Sequence, residues 1–442
     1  MKKQNYKQVL SIILIILYVM PVPIYSNSNL PTINAEAAIL LDAKTGTILY
    51  EKNAYNTYYP ASITKIMTAL LTIENMSPLD LITFSYEAIF SIEAGSSNIA
   101  INVGEQLTVD QALHAILLSS ANEVTNGLAE AVGGSIENFA ALMTSKAHSL
   151  GATSTNFVNP HGLHDANHYT TAYDMALIVQ AIYDNPYFLE IMDTPTYQIN
   201  STNKTNETRY LSQQHSLMNI VRDSQRYRSD VIGGKTGYTS QAGNTLVTVA
   251  RQGDIDLIVV ILKGDINYYY NDTTKLLDYG FDSFSSLSLN TSGDILTVAP
   301  LYSIQSGKLF EVASCGITTL DDISVVVSSD VYKKDLTIDM NVASDLTLGT
   351  SIGDEVGSIT YSHDGKKLAT SPLIIAEINF LPAPQAYSFP SVSSSSPLFG
   401  GILQTIVGCF LICIVFAVVI KIHKHRQYLK HRQRLKYRGP LR

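Results

Sequence analysis

Two residues three positions apart, Ser62 and Lys65, could form a nucleophile and its base. A serine hydroxyl becomes an effective nucleophile only when a neighbouring base takes its proton, and a lysine can be that base only in its neutral form. Burial and a second cation nearby both lower the pKa of a lysine, and Lys235 is the candidate for that cation. The pair therefore predicts acyl transfer through a covalent intermediate on Ser62. The alternative is a capped helix whose lysine is solvated.

Each short motif of this site occurs at least twice in the chain, so the surrounding sequence is needed to decide which occurrence belongs to the site. Residues 62–73 have the apolar spacing of a buried helix, on which positions i and i+3 share a face, so Ser62 and Lys65 can meet. The start of that helix also offers backbone N–H groups and a positive dipole end to a developing oxyanion. The second Ser-x-x-Lys copy begins at Ser201 in a polar stretch that predicts a loop. We therefore select Ser62.

A second motif joins Ser120 and Asn122 directly after the apolar stretch 113–118. This position is where a buried helix ends or bends, so both side chains could project into a cleft. A simple turn is the commoner use of Ser and Asn residues in such a sequence.

The third motif, Lys235-Thr236-Gly237, precedes a strand pattern at 244–250. Glycine at a strand edge lets a ligand approach the backbone, while the lysine and threonine offer a cation and a hydroxyl. The other Lys-Thr-Gly copy, at 44–46, falls in a predicted hairpin turn, where glycine is expected for its positive φ. We therefore expect residues 235–237 to belong to the site.

The pattern along residues 36–285 predicts an α+β domain. Strand patterns come first and last, and helical periodicity fills the middle; the helical stretches are 62–73, 109–131, 135–150 and 171–183. This order predicts one antiparallel sheet, closed by both ends of the domain, with a helical insert. Residues 286–383 lose the helical signal and predict a small all-β domain, a spacer or a platform for a partner.

Charge is distributed unevenly along the 442 residues, whose net charge is −8. Residues 421–442 carry nine Lys or Arg and no acid, and the first seven residues carry three Lys. The remaining 18 basic residues face all 38 acidic residues, which leaves −20 on the middle of the chain. Such acidity argues against nucleic acid as a partner, because phosphate binding needs basic patches.

Both ends of the chain carry membrane-targeting patterns. Residues 1–26 combine lysines, a short apolar run and a proline break, which predicts a signal peptide; the alternative is an uncleaved anchor. Residues 398–420 are uncharged and long enough to span a bilayer, and residues 384–397 form a Pro/Ser-rich tether before them. The basic tail 421–442 is then cytoplasmic by the positive-inside rule. We expect a cell-membrane protein with a single C-terminal span and an extracytoplasmic catalytic domain.

One family is similar to this chain in the order of its motifs, at Ser62, Ser120 and Lys235, and in the residue sequence of four segments. Those segments are residues 38–46, 159–163, 168–176 and 233–239. They are similar to the low-molecular-mass penicillin-binding proteins, serine-type D-Ala-D-Ala carboxypeptidases of peptidase family S11. The resemblance covers residues 36–420. It implies a β-lactamase/transpeptidase-like domain followed by a small β domain and a C-terminal membrane helix, without a metal or cofactor.

The resemblance also implies substrates and catalytic roles. The substrates are peptidoglycan stem peptides ending in D-Ala-D-Ala, and β-lactams such as penicillin inhibit the enzyme. Ser62 attacks the carbonyl of the penultimate D-Ala, Lys65 is its base, and Ser120 relays a proton to the departing D-Ala amine. The implied substrate-binding residues are Asn122 for the peptide amide, Lys235 and Thr236 for the carboxylate, Gly237, and Tyr238, whose N–H completes an oxyanion hole with that of Ser62.

Two departures and two rival functions accompany the resemblance. Members often carry an arginine where this chain has Tyr268-Tyr269-Tyr270-Asn271, and Glu123 stands where Asp is common. A β-lactamase shares the motifs but needs a deacylating glutamate, for which Glu190 is a poor candidate in an apolar helical stretch. A non-catalytic penicillin-binding wall sensor is the second rival, and the intact motif residues disfavour it.

Overall fold

The computed structural model describes residues 30–305, 307–344 and 346–386. The predicted signal peptide, membrane span and basic tail lie outside the described residues, as do residues 387–397 of the predicted tether. Among the described helices, none combines the length and the apolar character that crossing a bilayer demands.

The described residues form sixteen strands and eight α-helices. The strands are β1 Ala37–Asp42, β2 Ile48–Lys52, β3 Leu81–Thr83, β4 Gln106–Thr108, β5 Thr196–Ile199, β6 Arg209–Ser212, β7 Val231–Thr239, β8 Gly243–Gln252, β9 Ile255–Gly264, β10 Phe284–Asn290, β11 Thr297–Gln305, β12 Lys308–Thr319, β13 Ile323–Ser328, β14 Thr337–Val342, β15 Glu355–His363 and β16 Lys366–Ala386. The helices are α1 Lys65–Asn75, α2 Tyr86–Phe90, α3 Val109–Leu118, α4 Asn122–Gly133, α5 Ile136–Ser149, α6 Ala172–Gln180, α7 Pro186–Met192 and α8 Tyr269–Ser283.

The central sheet has the strand order β2-β1-β9-β8-β7, and every pairing in it is antiparallel. The first strands of the chain therefore lie beside strands that come after the helical segments, which confirms the prediction of one sheet closed by both ends of the domain. Among the described residues β7 is an edge strand, because it pairs with β8 on one side and with no strand on the other.

Apolar residues of the sheet are buried on both faces. The central strand β9 alternates Leu257, Val259 and Ile261 toward one hydrophobic cluster with Ile258 and Val260 toward another. Helices α1, α3, α4 and α6 contribute to the larger cluster, and α8 contributes to the smaller one. This burial stabilises by about 25 cal/mol for each Å² of apolar surface removed from water, and it fixes the helices that carry the site.

The helices that carry the motifs differ from the predicted ones at their ends. Ser62 lies in a short 3-10 turn, Ala61–Thr64, and α1 begins only at Lys65. The predicted helix 109–131 is two helices, α3 and α4, separated at Ser119–Ala121. Ser120 therefore lies in a break between buried helices, as its position after the apolar stretch predicts.

Residues after α8 form strands and a single 3-10 turn, Lys333–Asp335, within the described part of the chain. β10 pairs with β13, and a second sheet has the strand order β11-β12-β16-β15-β14. The predicted all-β character is confirmed, while the domain boundary at 285/286 stays a prediction. The described residues divide into two compact units, of which the first contains residues 30–297 and therefore the whole candidate site.

Candidate active site

The proposed nucleophile and its base meet as their spacing predicts. Nζ of Lys65 lies 3.1 Å from Oγ of Ser62. Lys65 is completely buried, whereas Ser62 is partly exposed. The lysine therefore approaches the hydroxyl from inside the protein, and the opposite side of the hydroxyl faces the solvent.

Lys65 has two further hydrogen-bond acceptors in fixed positions. Its Nζ donates to Oδ1 of Asn122 at 2.7 Å and to the carbonyl oxygen of His161 at 2.8 Å. A neutral amine has two N–H bonds and one lone pair. If these two acceptors take both N–H bonds, the lone pair is left for the proton of Ser62.

Electrostatics favours this neutral form of Lys65. Burial lowers the pKa of Lys65 well below its ordinary value of 10.5, and the charge of Lys235 lowers it further. The carboxylate of Glu123 acts in the opposite direction and raises the pKa. The expected influence of Lys235 on Lys65 is therefore present in the structure.

The segment 159–163 positions this base through its backbone. Besides the carbonyl of His161, the carbonyl of Pro160 accepts a hydrogen bond of 2.6 Å from Oγ1 of Thr68 on α1. Oδ1 of Asn159 accepts from the N–H of Gly162 at 2.7 Å and closes the turn. Segment 159–163 is one of those that resemble the family, but the resemblance implies no role for it. In the structure this segment holds the carbonyls of Pro160 and His161 against α1.

Ser120 and Lys235 face each other beside this pair. Nζ of Lys235 lies 3.2 Å from Oγ of Ser120 and donates to the carbonyl oxygen of Thr236 at 2.9 Å. Burial lowers the pKa of Lys235 to about 7. Ser120 has a φ of +61°, a left-handed conformation that is strained for a residue with a side chain. The break between α3 and α4 therefore holds the hydroxyl at a backbone cost that the surrounding packing must offset.

Gly237 allows β7 to lie against the nucleophile turn. A Cβ atom there would stand 2.8 Å from the backbone nitrogen of Ser62 and 2.4 Å from Oγ1 of Thr245. That same Oγ1 donates to the carbonyl of Pro60 at 2.7 Å, which ties β8 to the turn. The absence of a side chain thus brings the edge strand and the N–H of Ser62 together, as an oxyanion hole between Ser62 and Tyr238 requires.

A cavity of about 700 Å³ opens over these groups. Five of the eight predicted site residues line it, namely Ser62, Ser120, Thr236, Gly237 and Tyr238. The other three, Lys65, Asn122 and Lys235, are at most 2% exposed and are buried next to Ser62 and Ser120. The structure therefore brings all eight predicted residues into one place.

Sequence reasoning missed several cavity residues, among them Asn98, Arg209 and Arg222. Arg209 on β6 donates to both carboxylate oxygens of Glu105, at 2.6 and 3.1 Å, and to the carbonyl of Ala100. Glu105 is fully buried, and its hydrogen bonds hold the segment before β4 against β6. Because the two partners are 104 positions apart, no local pattern indicates this ion pair.

Glu123 is buried behind the cavity wall and holds Ile99, one of the residues that line the cavity. Its Oε1 accepts from the N–H of Ile99 at 2.7 Å, while its buried Oε2 has no hydrogen-bond partner among the described residues. Burial raises the pKa of this carboxyl. Glu190, the β-lactamase candidate, is exposed on α7 and is not among the residues that line the cavity, so it offers no general base next to Ser62.

A serine whose base is a buried lysine, with a second serine and lysine beside them at a sheet edge, defines a serine acyl-transfer enzyme of the penicillin-binding class. The comparisons with known proteins narrow this class. A family described as D-alanyl-D-alanine carboxypeptidase (Peptidase_S11) matches residues 25–265, and one described as penicillin-binding protein 5, C-terminal domain, matches residues 310–378.

Similar proteins extend over most of the chain. D-alanyl-D-alanine carboxypeptidase DacF of Bacillus subtilis (strain 168) is 30% identical over 349 residues, which cover 78% of this chain and 85% of the relative. DacA of Escherichia coli (strain K12) is 31% identical over 367 residues, covering 79% and 84%. The crystal structure of penicillin binding protein 5 from Haemophilus influenzae aligns with a TM-score of 0.66 at 26% identity, over 79% of this chain and 99% of that chain. This chain belongs to the D-alanyl-D-alanine carboxypeptidase family and is a serine peptidase.

Proposed function

We propose that this chain removes the terminal D-Ala from peptidoglycan stem peptides through an acyl-enzyme on Ser62. The observation that carries the proposal is the hydrogen bonding of Lys65, whose amine has two fixed acceptors and one hydroxyl within reach. Membership of the family supports the substrate class.

Acylation begins with Ser62 and Lys65 and ends with proton transfer through Ser120. Oγ of Ser62 attacks the carbonyl carbon of the penultimate D-Ala, and its proton passes to Nζ of Lys65. The oxyanion is stabilised by the N–H groups of Ser62 and Tyr238. The C–N bond then breaks, and the proton held on Lys65 passes through Oγ of Ser120, which Lys235 contacts, to the departing amine, so that Lys65 is neutral again.

Deacylation reverses these transfers with water in place of the amine. A water molecule entering from the cavity loses a proton to the same base and attacks the acyl carbonyl. The ester bond breaks, Ser62 regains its proton, and the shortened peptide leaves with a new carboxylate. β-Lactams undergo the acylation steps, because their strained amide replaces the peptide bond while their carboxylate resembles that of the terminal D-Ala.

Release of D-Ala from diacetyl-L-Lys-D-Ala-D-Ala tests this function. The purified full-length chain in detergent is expected to release D-Ala in many turnovers, and Ser62→Ala to release none. Labelling by penicillin without D-Ala release would contradict the carboxypeptidase and leave a wall sensor. Multiple turnovers of penicillin with no D-Ala release would instead indicate a β-lactamase.

We also propose that residues 398–420 anchor the enzyme in the cell membrane with its catalytic domain outside. The 23-residue uncharged run and the nine basic residues that follow it support this arrangement. Alkaline carbonate extraction of membranes from expressing cells tests it. The full chain is expected in the membrane pellet and a chain ending at residue 397 in the soluble fraction, whereas equal extraction of both would contradict the anchor.

A further inference from the structure

Lys235, the residue expected to meet the substrate's terminal carboxylate, is a cation whose surroundings lower its pKa. This lysine is buried and donates to the hydroxyl of Ser120 and the carbonyl of Thr236. Burial lowers its pKa to about 7, so its charge varies with pH near neutrality. A second group whose charge does not vary with pH would stabilise a carboxylate bound beside Thr236, because an unpaired anion in a partly desolvated site is costly.

Two guanidinium groups reach the cavity wall, and only one of them is free. Arg209 is bonded to Glu105, so its charge is already balanced. The side chain of Arg222 makes no hydrogen bond or ion pair with the part of the chain that the structure describes. The acids on its own loop have other partners, since Asp223 pairs with Arg226 and Asp230 pairs with Arg228.

Arg222 also shares a cavity with the residues expected to bind the carboxylate. It lines the same cavity as Thr236, Gly237 and Tyr269. Burial raises the pKa of Tyr269, whereas the charges of Arg226 and, to a smaller extent, Arg222 lower it. No acidic residue is among those that line the cavity, so an anion there meets no opposing charge from its walls.

We propose that Arg222 supplies the fixed cation for the terminal carboxylate of the substrate. This arginine belongs to the loop between β6 and β7. A guanidinium suits this task because its planar donors match a carboxylate and its charge does not vary with pH. The proposal rests on the proposed function, since it concerns how that substrate is held.

Arg222→Gln is the direct test. With diacetyl-L-Lys-D-Ala-D-Ala, it is expected to lower kcat/KM by about tenfold to a hundredfold, mainly through KM, as loss of a hydrogen bond to a charged group implies. With the C-terminally amidated peptide, the same variant should match the wild type. Arg222→Lys should recover part of the loss. Arg226→Gln is the control for loss of charge on this loop and should keep the wild-type preference for the acid over the amide, because Arg226 does not line the cavity; it also breaks the ion pair with Asp223 and the contact with the Tyr270 ring.

Equal kinetics of Arg222→Gln and wild type on the acid substrate would overturn the proposal, as would an equal loss on the acid and the amide. If the wild type releases no D-Ala, the proposed function has failed. The role of Arg222 is then decided by the rates at which benzylpenicillin and its methyl ester acylate Ser62. The variant should slow only the free acid, and equal slowing or no slowing would refute Arg222 as the cation.

Discussion

A Cβ atom on Gly162 would lie 1.9 Å from the carbonyl oxygen of Ala61, the residue that precedes the nucleophile. Gly162 has a φ of +87°, and Ala61 itself has a positive φ of 51°. Two unusual backbone conformations therefore fit against each other only because one of the residues lacks a side chain. This contact joins the segment that holds Lys65 to the turn that presents Ser62.

Gly162→Ala is expected to destabilise the protein and to displace the nucleophile. Gly134→Ala is the matched control, because Gly134 has a φ of +75° with nothing within 4 Å of a Cβ atom. The control should cost about 1 kcal/mol for its φ alone, and Gly162→Ala about 1–3 kcal/mol more for the clash. Thermal unfolding and the rate of penicillin acylation measure both effects. Equal unfolding losses with unchanged acylation would contradict this role of Gly162.

Lys65→Arg separates the charge of the residue from its basicity. An arginine stays protonated, so it can occupy the site as a cation but cannot take the proton of Ser62. We expect acylation by penicillin to slow by about 10²- to 10⁴-fold, the usual contribution of a general base. Stopped-flow acylation is the measurement. A variant within a few-fold of wild type would show that Lys65 acts only through its charge.

The pH dependence of acylation should move in opposite directions in two variants. Lys235→Gln removes a cation that lowers the pKa of Lys65, so that pKa rises and the ascending limb of the rate shifts to higher pH. Glu123→Gln removes an anion that raises the pKa of Lys65, so the limb shifts to lower pH. Acylation rates across the pH range measure both. Shifts of the same sign in the two variants would exclude Lys65 as the titrating base.

The buried pair of Glu105 and Arg209 should give a stability that depends on pH. Burial raises the pKa of Glu105, but hydrogen bonds from Arg209, Asn102 and Thr202 outweigh it, so the pKa is below its ordinary value of 4.5. The contribution is therefore complete above pH 4.5 and is lost as the pH falls through the lower folded-state pKa.

Glu105→Gln is then expected to lower the free energy of unfolding by about 3 kcal/mol at neutral pH, with the difference shrinking in acid. Chemical unfolding at several pH values provides the measurement. Asp223→Asn, which breaks an exposed pair, is the control and should have little effect at any pH. A difference that grows in acid would contradict the assigned ionisation of Glu105.

The sequence predicted the parts of the site that depend on local spacing. Ser62 and Lys65 are three positions apart, and their contact follows from one turn of helical backbone. The central sheet was predicted because β1, β8 and β9 have apolar patterns bounded by turns. The break at Ser120 was anticipated only as an end or bend, because the apolar pattern continues through it. In the structure, the N–H of Asn122 bonds to the carbonyl of Ser97, a contact that local sequence cannot reveal.

Contacts of the site between residues far apart in the chain could not be predicted from local sequence. The carbonyl of His161 accepts from Lys65 across 96 positions, and a backbone acceptor can belong to any residue type. Arg222 lies outside every motif of the sequence, so no local pattern marks it as a site residue. Strand β10, with three serines among its seven residues, was missed because serine has no strand preference that marks it.

Mapping the acyl group during turnover tests the central claim most directly. The full-length chain is quenched in acid while it hydrolyses diacetyl-L-Lys-D-Ala-D-Ala, digested and analysed by mass spectrometry. The account predicts the diacetyl-Lys-D-Ala acyl group on the peptide that contains Ser62, attached to Ser62 itself. Continued release of D-Ala with the acyl group on another residue, or from the Ser62→Ala variant, would contradict it.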